Sequence, residues 1–228
     1  MPPSLAIIAA LPREIALLVR GTKPDTQLLR RNIHLYTLPN VIVVAAGMGA
    51  NRATLAVEAA LAAAPIATLI STGLVGACTP ALRPGDVAEA GLIIASNTGE
   101  RFVTASPQSP TLVTAASIAS IDEKRRLAAT YNAAMVDMEA ATVARLAAAH
   151  GLRLRAIKAV SDAYDFELAA LSRFATPDGQ FRTGAFALYT ALRPHLWSTA
   201  AHLGRNSTLA LKNLHTRLLE IIAAEPVS

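Results

Sequence analysis

Cysteine, aromatic side chains and charge are all scarce in this chain of 228 residues. The single cysteine, Cys78, excludes an internal disulfide framework and fits a reducing compartment, so a cytoplasmic protein is expected. Aromatic residues make up only 4%, too few for an aromatic stacking platform, so no nucleic-acid partner is expected. Charged residues reach 16% against 53% hydrophobic, yet no uninterrupted apolar run is long enough to span a bilayer. Much of the apolar excess is alanine, which points to closely packed helices. The opening "MPPSLAIIAALPRE" has no basic start, and Pro12 and Glu14 cut its apolar run short, so no signal peptide is expected. Five scattered histidines and the lone cysteine show no metal-ligand spacing; neither a metal nor a cofactor is expected. "GMGANR" lacks the third glycine of a dinucleotide fingerprint, and no Walker lysine follows any glycine loop. Ser71 and Ser161 lack the nucleophile-elbow context of a serine hydrolase.

What is present is an alternation of strand-like and helix-like segments. "LAIIAA" (5–10), "VIVVAAG" (41–47) and "IATLIS" (66–71) are short continuous apolar runs. "PREIALLVR" follows the first, with proline suited to an opening helical turn, and "ANRATLAVEAALAAA" follows the second. "TGLVGA" reads as a glycine turn. "DVAEAGLIIAS" (86–96) gives one or two further strands, "AAMVDM" another and "LRLRAIKAVS" (152–161) the last. Continuous apolar strands alternating with helices imply a mostly parallel, mixed sheet covered on both faces. The expected fold is therefore one three-layer α/β/α domain over 1–228 with a helical tail over 193–228. Residues 97–116 and 172–183 read as loops.

In such sheets ligands bind beyond the carboxyl ends of the strands. Three predicted strand ends carry an acid: Glu14, Glu139 and Asp162. Any one of them could serve a helix terminus, Glu14 and Glu139 in a first turn and Asp162 as an N-cap. Three on one edge point to a site. Gly47, Gly49, Gly73 and Gly76 lie at two further strand ends, where backbone can approach a ligand closely.

"AALPREIALL", "VVAAGMGANRAT", "LISTGLVGACTPALRPGDV" and "VDMEAATVARLAAAHGLRLRAIKAVSDAYD", in this order, resemble the purine nucleoside phosphorylase and methylthioadenosine/S-adenosylhomocysteine nucleosidase superfamily over residues 4 to 166. The resemblance implies cleavage of an N-ribosidic bond. It makes Asp162 the acid at the purine N7, with Ser161 beside it. Glu139 would hold the ribose 2′-hydroxyl, Met138 would pack on the sugar, and Glu14 would activate the attacking water. Gly47, Gly73 and Ile118 complete the implied substrate contacts, and Asp137 is expected to face away from Glu139. Phosphorolytic relatives place an arginine where this chain has Ser71, which favours hydrolysis; Arg13 and Arg52 are the candidate phosphate ligands if the enzyme is a phosphorylase. The segment around Ser117–Ile121 lacks the Gly-Asp-x-Phe pattern of methylthioadenosine nucleosidases. "DEKRRLAATYNAAMVDME" and the tail look like the hopanoid-associated phosphorylase-like subgroup, which implies adenosylhopane as substrate. A methylthioadenosine/S-adenosylhomocysteine nucleosidase, a futalosine hydrolase and a non-catalytic nucleoside-binding protein remain the alternatives. The family also implies a homo-oligomer.

The net charge of +5 is concentrated late in the chain: Arg193, Arg205, Lys212, Arg217 and three histidines occur between 193 and 217 without an acid. Two readings stand, a peripheral membrane contact and the solvated face of a helix whose apolar side is Leu211, Leu214, Leu218 and Ile222.

Overall fold

A computed structural model describes residues 4–168, 173–174, 176, 179–180 and 197–224. The strands are β1 (Leu5–Ala9), β2 (His34–Thr37), β3 (Val41–Ala45), β4 (Thr68–Ala77), β5 (Val87–Glu89), β6 (Leu92–Ala95), β7 (Arg101–Val103), β8 (Thr111–Thr114), β9 (Ala133–Asp137) and β10 (Arg153–Asp162). The helices are α1 (Pro12–Ile15), α2 (Thr26–Leu29), α3 (Ala50–Ala63), α4 (Ile121–Tyr131), α5 (Ala140–Ala149) and α6 (Trp197–Ala224). One sheet contains all ten strands, in the order β2-β3-β1-β4-β9-β8-β6-β7, with β10 on β4 and β5 on β10.

The apolar runs alternate their side chains between two cores, as strands covered on both faces must. Leu5, Ile7, Val41 and Val43 face one cluster, while Ala6, Ile8, Ile42 and Val44 face the other. Alanines of α3 and α5 let those helices lie close on the second face. The first face is covered by Ile15 of α1 and by Ala210, Leu214, Leu218 and Ile221 of α6. A third cluster seats Leu127 of α4 against β6, β8 and β9. This is the three-layer α/β/α arrangement expected, with a mixed sheet of five parallel and four antiparallel pairings.

β4 explains where the site forms. One edge of it pairs with β10 in parallel from Thr68 to Gly76. The other edge is shared: β1 runs parallel along Thr68–Ser71, and β9 comes from the opposite direction to pair with Gly76 and Ala77. The carboxyl ends of β1 and β9 therefore point at each other across Thr72–Val75.

Three expectations are corrected. "TGLVGA" is not a turn but the second half of β4, with Gly73 at φ +123°. Residues 97–116 hold β7 and β8 as well as loop; Thr111–Thr114 is extended because it inserts between β6 and β9. "PREIALLVR" is helical only over Pro12–Ile15 and continues as turns, with Leu18 and Val19 both donating to the Ile15 carbonyl. The expected loop at 172–183 lies largely outside the described residues, as do 193–196 and 225–228 of the tail. Within α6 Leu214 and Leu218 of the anticipated apolar stripe are buried, whereas Leu211 and Ile222 are half-buried and Ala210 and Ile221 complete the buried face; Arg205 and Lys212 are exposed and Arg217 pairs with Glu220 at 2.9 Å. No helix among the described residues is long and apolar enough to cross a membrane.

Candidate active site

A cavity of about 440 Å³ opens over the break between β1 and β9, a size typical of small-molecule sites. Glu14, Glu139 and Asp162 all line it, together with Arg13, Ile118, Met138 and Ser161. α6 supplies one wall through Ala200, Leu203, Gly204, Ser207, Thr208 and Leu211.

Each acid is held differently. Oε2 of Glu14 accepts the N–H groups of Ala10 and Leu11, both at 3.0 Å, and Oε1 accepts that of Leu74 at 3.1 Å. Gly73 is needed for this: a Cβ there would lie 2.9 Å from the Glu14 carboxylate, besides straining the backbone. Gly73 thus makes room for Glu14, and it does not itself line the cavity.

Glu139 is the N-cap residue of α5, but its carboxylate does not cap that helix. The first free N–H groups of α5 are taken by others: Ala140 donates to Oδ2 of Asp137 at 3.0 Å, and Ala141 to Oγ1 of Thr114 at 2.9 Å. Glu139 turns instead to the start of α3, accepting from Gly49 N–H at 2.8 Å and from Met138 N–H at 3.3 Å. Burial, reinforced by the charge of Asp137, pushes its carboxyl up to about 7.

Asp162 follows a register shift between Val160 and Asp162, a bulge that turns its side chain toward the cavity. Ser161 Oγ donates to Oδ1 at 2.6 Å, and Lys124 Nζ donates to Oδ2 at 2.5 Å. Lys124 and Asp162 are only 1% and 2% exposed. Burial raises the Asp162 carboxyl above the usual aspartate range, against the pull of Lys124. Gly76 makes room for this pair, since a Cβ there would stand 2.9 Å from Oδ2 and 3.0 Å from Lys124 Cε.

A second buried pair lies at the cavity wall. Lys158 Nζ meets Asp137 Oδ2 at 2.8 Å and donates to the Thr72 carbonyl at 3.2 Å. The Asp137 side chain is fully buried, although the residue borders the cavity.

Two other anticipated contacts are not brought to the cavity. Gly47 has φ +125° and donates its N–H to the Ala10 carbonyl at 2.8 Å, steadying the end of β1 next to Glu14. Arg52 turns its guanidinium to backbone, donating to the carbonyls of Ala46 and, at 2.6 Å, of Asn32. Arg13 is exposed at the cavity rim. Sequence reasoning missed Lys124 and Lys158, although each is a lysine in an apolar setting: Lys124 shares its helix stripe with Leu127, Ala128 and Tyr131, and Lys158 interrupts "RAIKAV".

Residues 4–100 and 94–185 match the sequence profile described as the Phosphorylase superfamily. The chain belongs to this superfamily. No curated protein sequence matches it significantly. Among solved structures, the superfamily chain is similar to the 5′-methylthioadenosine nucleosidase of Arabidopsis thaliana, with a TM-score of 0.72 at 17% identity over 99% of this chain and 98% of that one. The 5′-methylthioadenosine/S-adenosylhomocysteine nucleosidase of Neisseria meningitidis, in complex with methylthio-immucillin-A, gives 0.69 at 17% identity, covering 97% and 99%. The futalosine hydrolase of Helicobacter pylori gives 0.66 at 16%, covering 96% and 98%. At such identities the likeness is one of fold.

Proposed function

We propose that this chain cleaves the N-ribosidic bond of an adenine nucleoside with water as the nucleophile. As the bond breaks, its electron pair moves onto the purine and positive charge develops on the ribose. Asp162 gives a proton to N7, Glu139 holds the 2′-hydroxyl, and Glu14 takes a proton from the attacking water. The products are free adenine and the free sugar.

The observation that carries the choice of water is the cradle around Glu14. Three backbone N–H groups, those of Ala10, Leu11 and Leu74, are directed at one point on the cavity wall, and a carboxylate of the protein itself occupies it. An incoming phosphate would need such donors, and Arg52 is engaged with carbonyls. The fold neighbours' names, methylthioadenosine nucleosidase and futalosine hydrolase, agree with a nucleosidase. The apolar wall from Ala200, Leu203 and Leu211 favours a substrate with an apolar 5′ substituent, a class that runs from methylthioadenosine to adenosylhopane. Phosphorolysis is the second reading, favoured by Arg13 at the rim.

Adenine release from methylthioadenosine, adenosine and an adenosylhopane-like nucleoside, with and without phosphate, tests both readings. Release without phosphate is expected, and Glu14→Gln should slow it by about a hundredfold or more. Release that requires phosphate and is lost in Arg13→Ala would establish the phosphorylase. No release from any nucleoside would leave a binding protein.

A further inference from the structure

Lys124 has no part in the reaction as set out above, yet it is almost completely buried against the proposed acid. Its three ammonium protons are all placed: on Asp162 Oδ2 at 2.5 Å, on the Ala163 carbonyl at 2.9 Å and on the Phe166 carbonyl at 3.1 Å. No donor is left over for a substrate, so whatever Lys124 does for the reaction passes through Asp162. α4 is built to deliver it. Ser120 caps the helix by accepting the Glu123 N–H at 3.2 Å, and Leu127 anchors the next turn in the core. Gly76 leaves the space the pair fills.

The carboxylate that pairs with Lys124 is that of Asp162. Cys78, just past the end of β4, is a buried thiol that burial pushes up to about 12, so it stays neutral. Glu123, next to Lys124 on α4, pairs with Arg126 at 2.7 Å on the outer face. Glu167, on the segment after β10, accepts from the Ile121 N–H at 3.3 Å. Across the cavity, Glu139 is held by Gly49, and Lys158 is committed to Asp137.

Building on the nucleosidase reading, we propose that Lys124 is a positioning residue that sets the acid strength of Asp162, by supplying the counter-ion for the carboxylate formed when the proton leaves. In that step one proton passes from the Asp162 carboxyl to the base nitrogen while the C1′–N9 electron pair passes to the purine. Asp162 is left as a carboxylate, neutralised by an ammonium that keeps all three of its own protons. Without Lys124 the same transfer would strand a buried, unpaired anion. The lysine thus makes a buried aspartic acid, otherwise reluctant to ionise, willing to give up its proton.

The test uses Lys124→Met and Lys124→Arg in the full chain, with two readouts. The first is the pH profile of adenine release. Lys124→Met should lower the maximal rate about tenfold or more and move the alkaline limb up by about one to three pH units, the influence of one adjacent opposite charge. Lys124→Arg, which keeps the charge, should hold the limb near its original place. The second readout is the titration of the Asp162 carboxyl by ¹³C NMR, assigned with Asp162→Asn; in Lys124→Met the carboxyl should keep its proton to higher pH. A rate that falls equally at every pH with an unmoved limb would show a merely structural lysine and overturn the proposal. An unchanged carboxyl titration would overturn it whether or not any nucleoside is turned over. A shifted titration in a protein that releases no adenine would support the pairing and refute the nucleosidase reading instead.

Discussion

Lys158–Asp137, between β10 and β9, and Lys124–Asp162, between α4 and β10, are both buried pairs bordering the cavity, and they are finished in different ways. Asp137 is saturated: Thr114 Oγ1 donates to Oδ1 at 2.7 Å, and Ala140 N–H and Lys158 share Oδ2. Asp162 receives one hydroxyl and one ammonium but no backbone N–H, and it lines the cavity. The first pair fixes the start of α5, so that Glu139 is free to reach Gly49. The second keeps its carboxylate within reach of a ligand. Buried charge is costly to leave unpaired, and here the same kind of pairing yields a structural joint in one place and a reactive group in the other.

The sharpest way to break the comparison is to neutralise each acid in turn. Asp162→Asn is expected to cut the rate of adenine release about a hundredfold or more, as loss of one general acid does. Asp137→Asn is expected to cost about 3–5 kcal/mol of stability by leaving Lys158 buried and unpaired, read as a lowered urea midpoint. The comparison fails if Asp137→Asn folds as well as the parent.

A smaller effect is expected from Gly73→Ala. The added Cβ meets the Glu14 carboxylate at 2.9 Å, and φ +123° disfavours any side chain. A loss of about 1–3 kcal/mol follows, with a lower turnover because Glu14 must shift. Gly49, which has open space around a Cβ, controls for the strain alone.

The last effect, one of pH, concerns Glu139. Its folded carboxyl, raised from 4.5 to about 7, binds a proton more tightly than the unfolded chain does. Its contribution to stability is therefore greatest below 4.5 and is lost as the pH rises through about 7. Glu139→Gln should flatten the stability-against-pH curve in that window by roughly 3 kcal/mol. A curve of unchanged slope would show that Glu139 titrates as an ordinary carboxylate.

The sheet and the convergence of the three acids were legible in the sequence, because continuous apolar runs mark buried strands and an acid directly after such a run stands out. Glu14, Glu139 and Asp162 all reach the cavity. The glycine-rich "TGLVGA" misled because glycine was read for its turn geometry, whereas in β4 its missing side chain admits the carboxylates of Glu14 and Asp162. Thr111–Thr114 was hidden among serines, prolines and threonines, and only pairing with two neighbouring strands makes it extended. Lys124 and Lys158 did leave a signal, a cation on an apolar face, but their partners lie 38 and 21 residues away in sequence and could be matched only in space. Arg52 was read for its charge at a helix start; its carbonyl partners lie in the turn at Asn32 and just past β3 at Ala46, which no local pattern reveals.

α6 is clamped to the sheet at one end and walls the cavity with the other. Ala210, Leu214, Leu218 and Ile221 hold it to the sheet, and Asn213 pins it by donating to the Gly85 carbonyl at 2.8 Å. From Ala210 back to Ala200 the helix extends as a beam about 15 Å long over the cavity. Pivoting at its clamped end by about 5° would carry the Ala200 end through about 1.3 Å, the width of a bond. The bore of the pocket is thus geared to the seating of Leu214 and Leu218, neither of which lines it, and Leu214→Val would change its width without touching any residue on its wall.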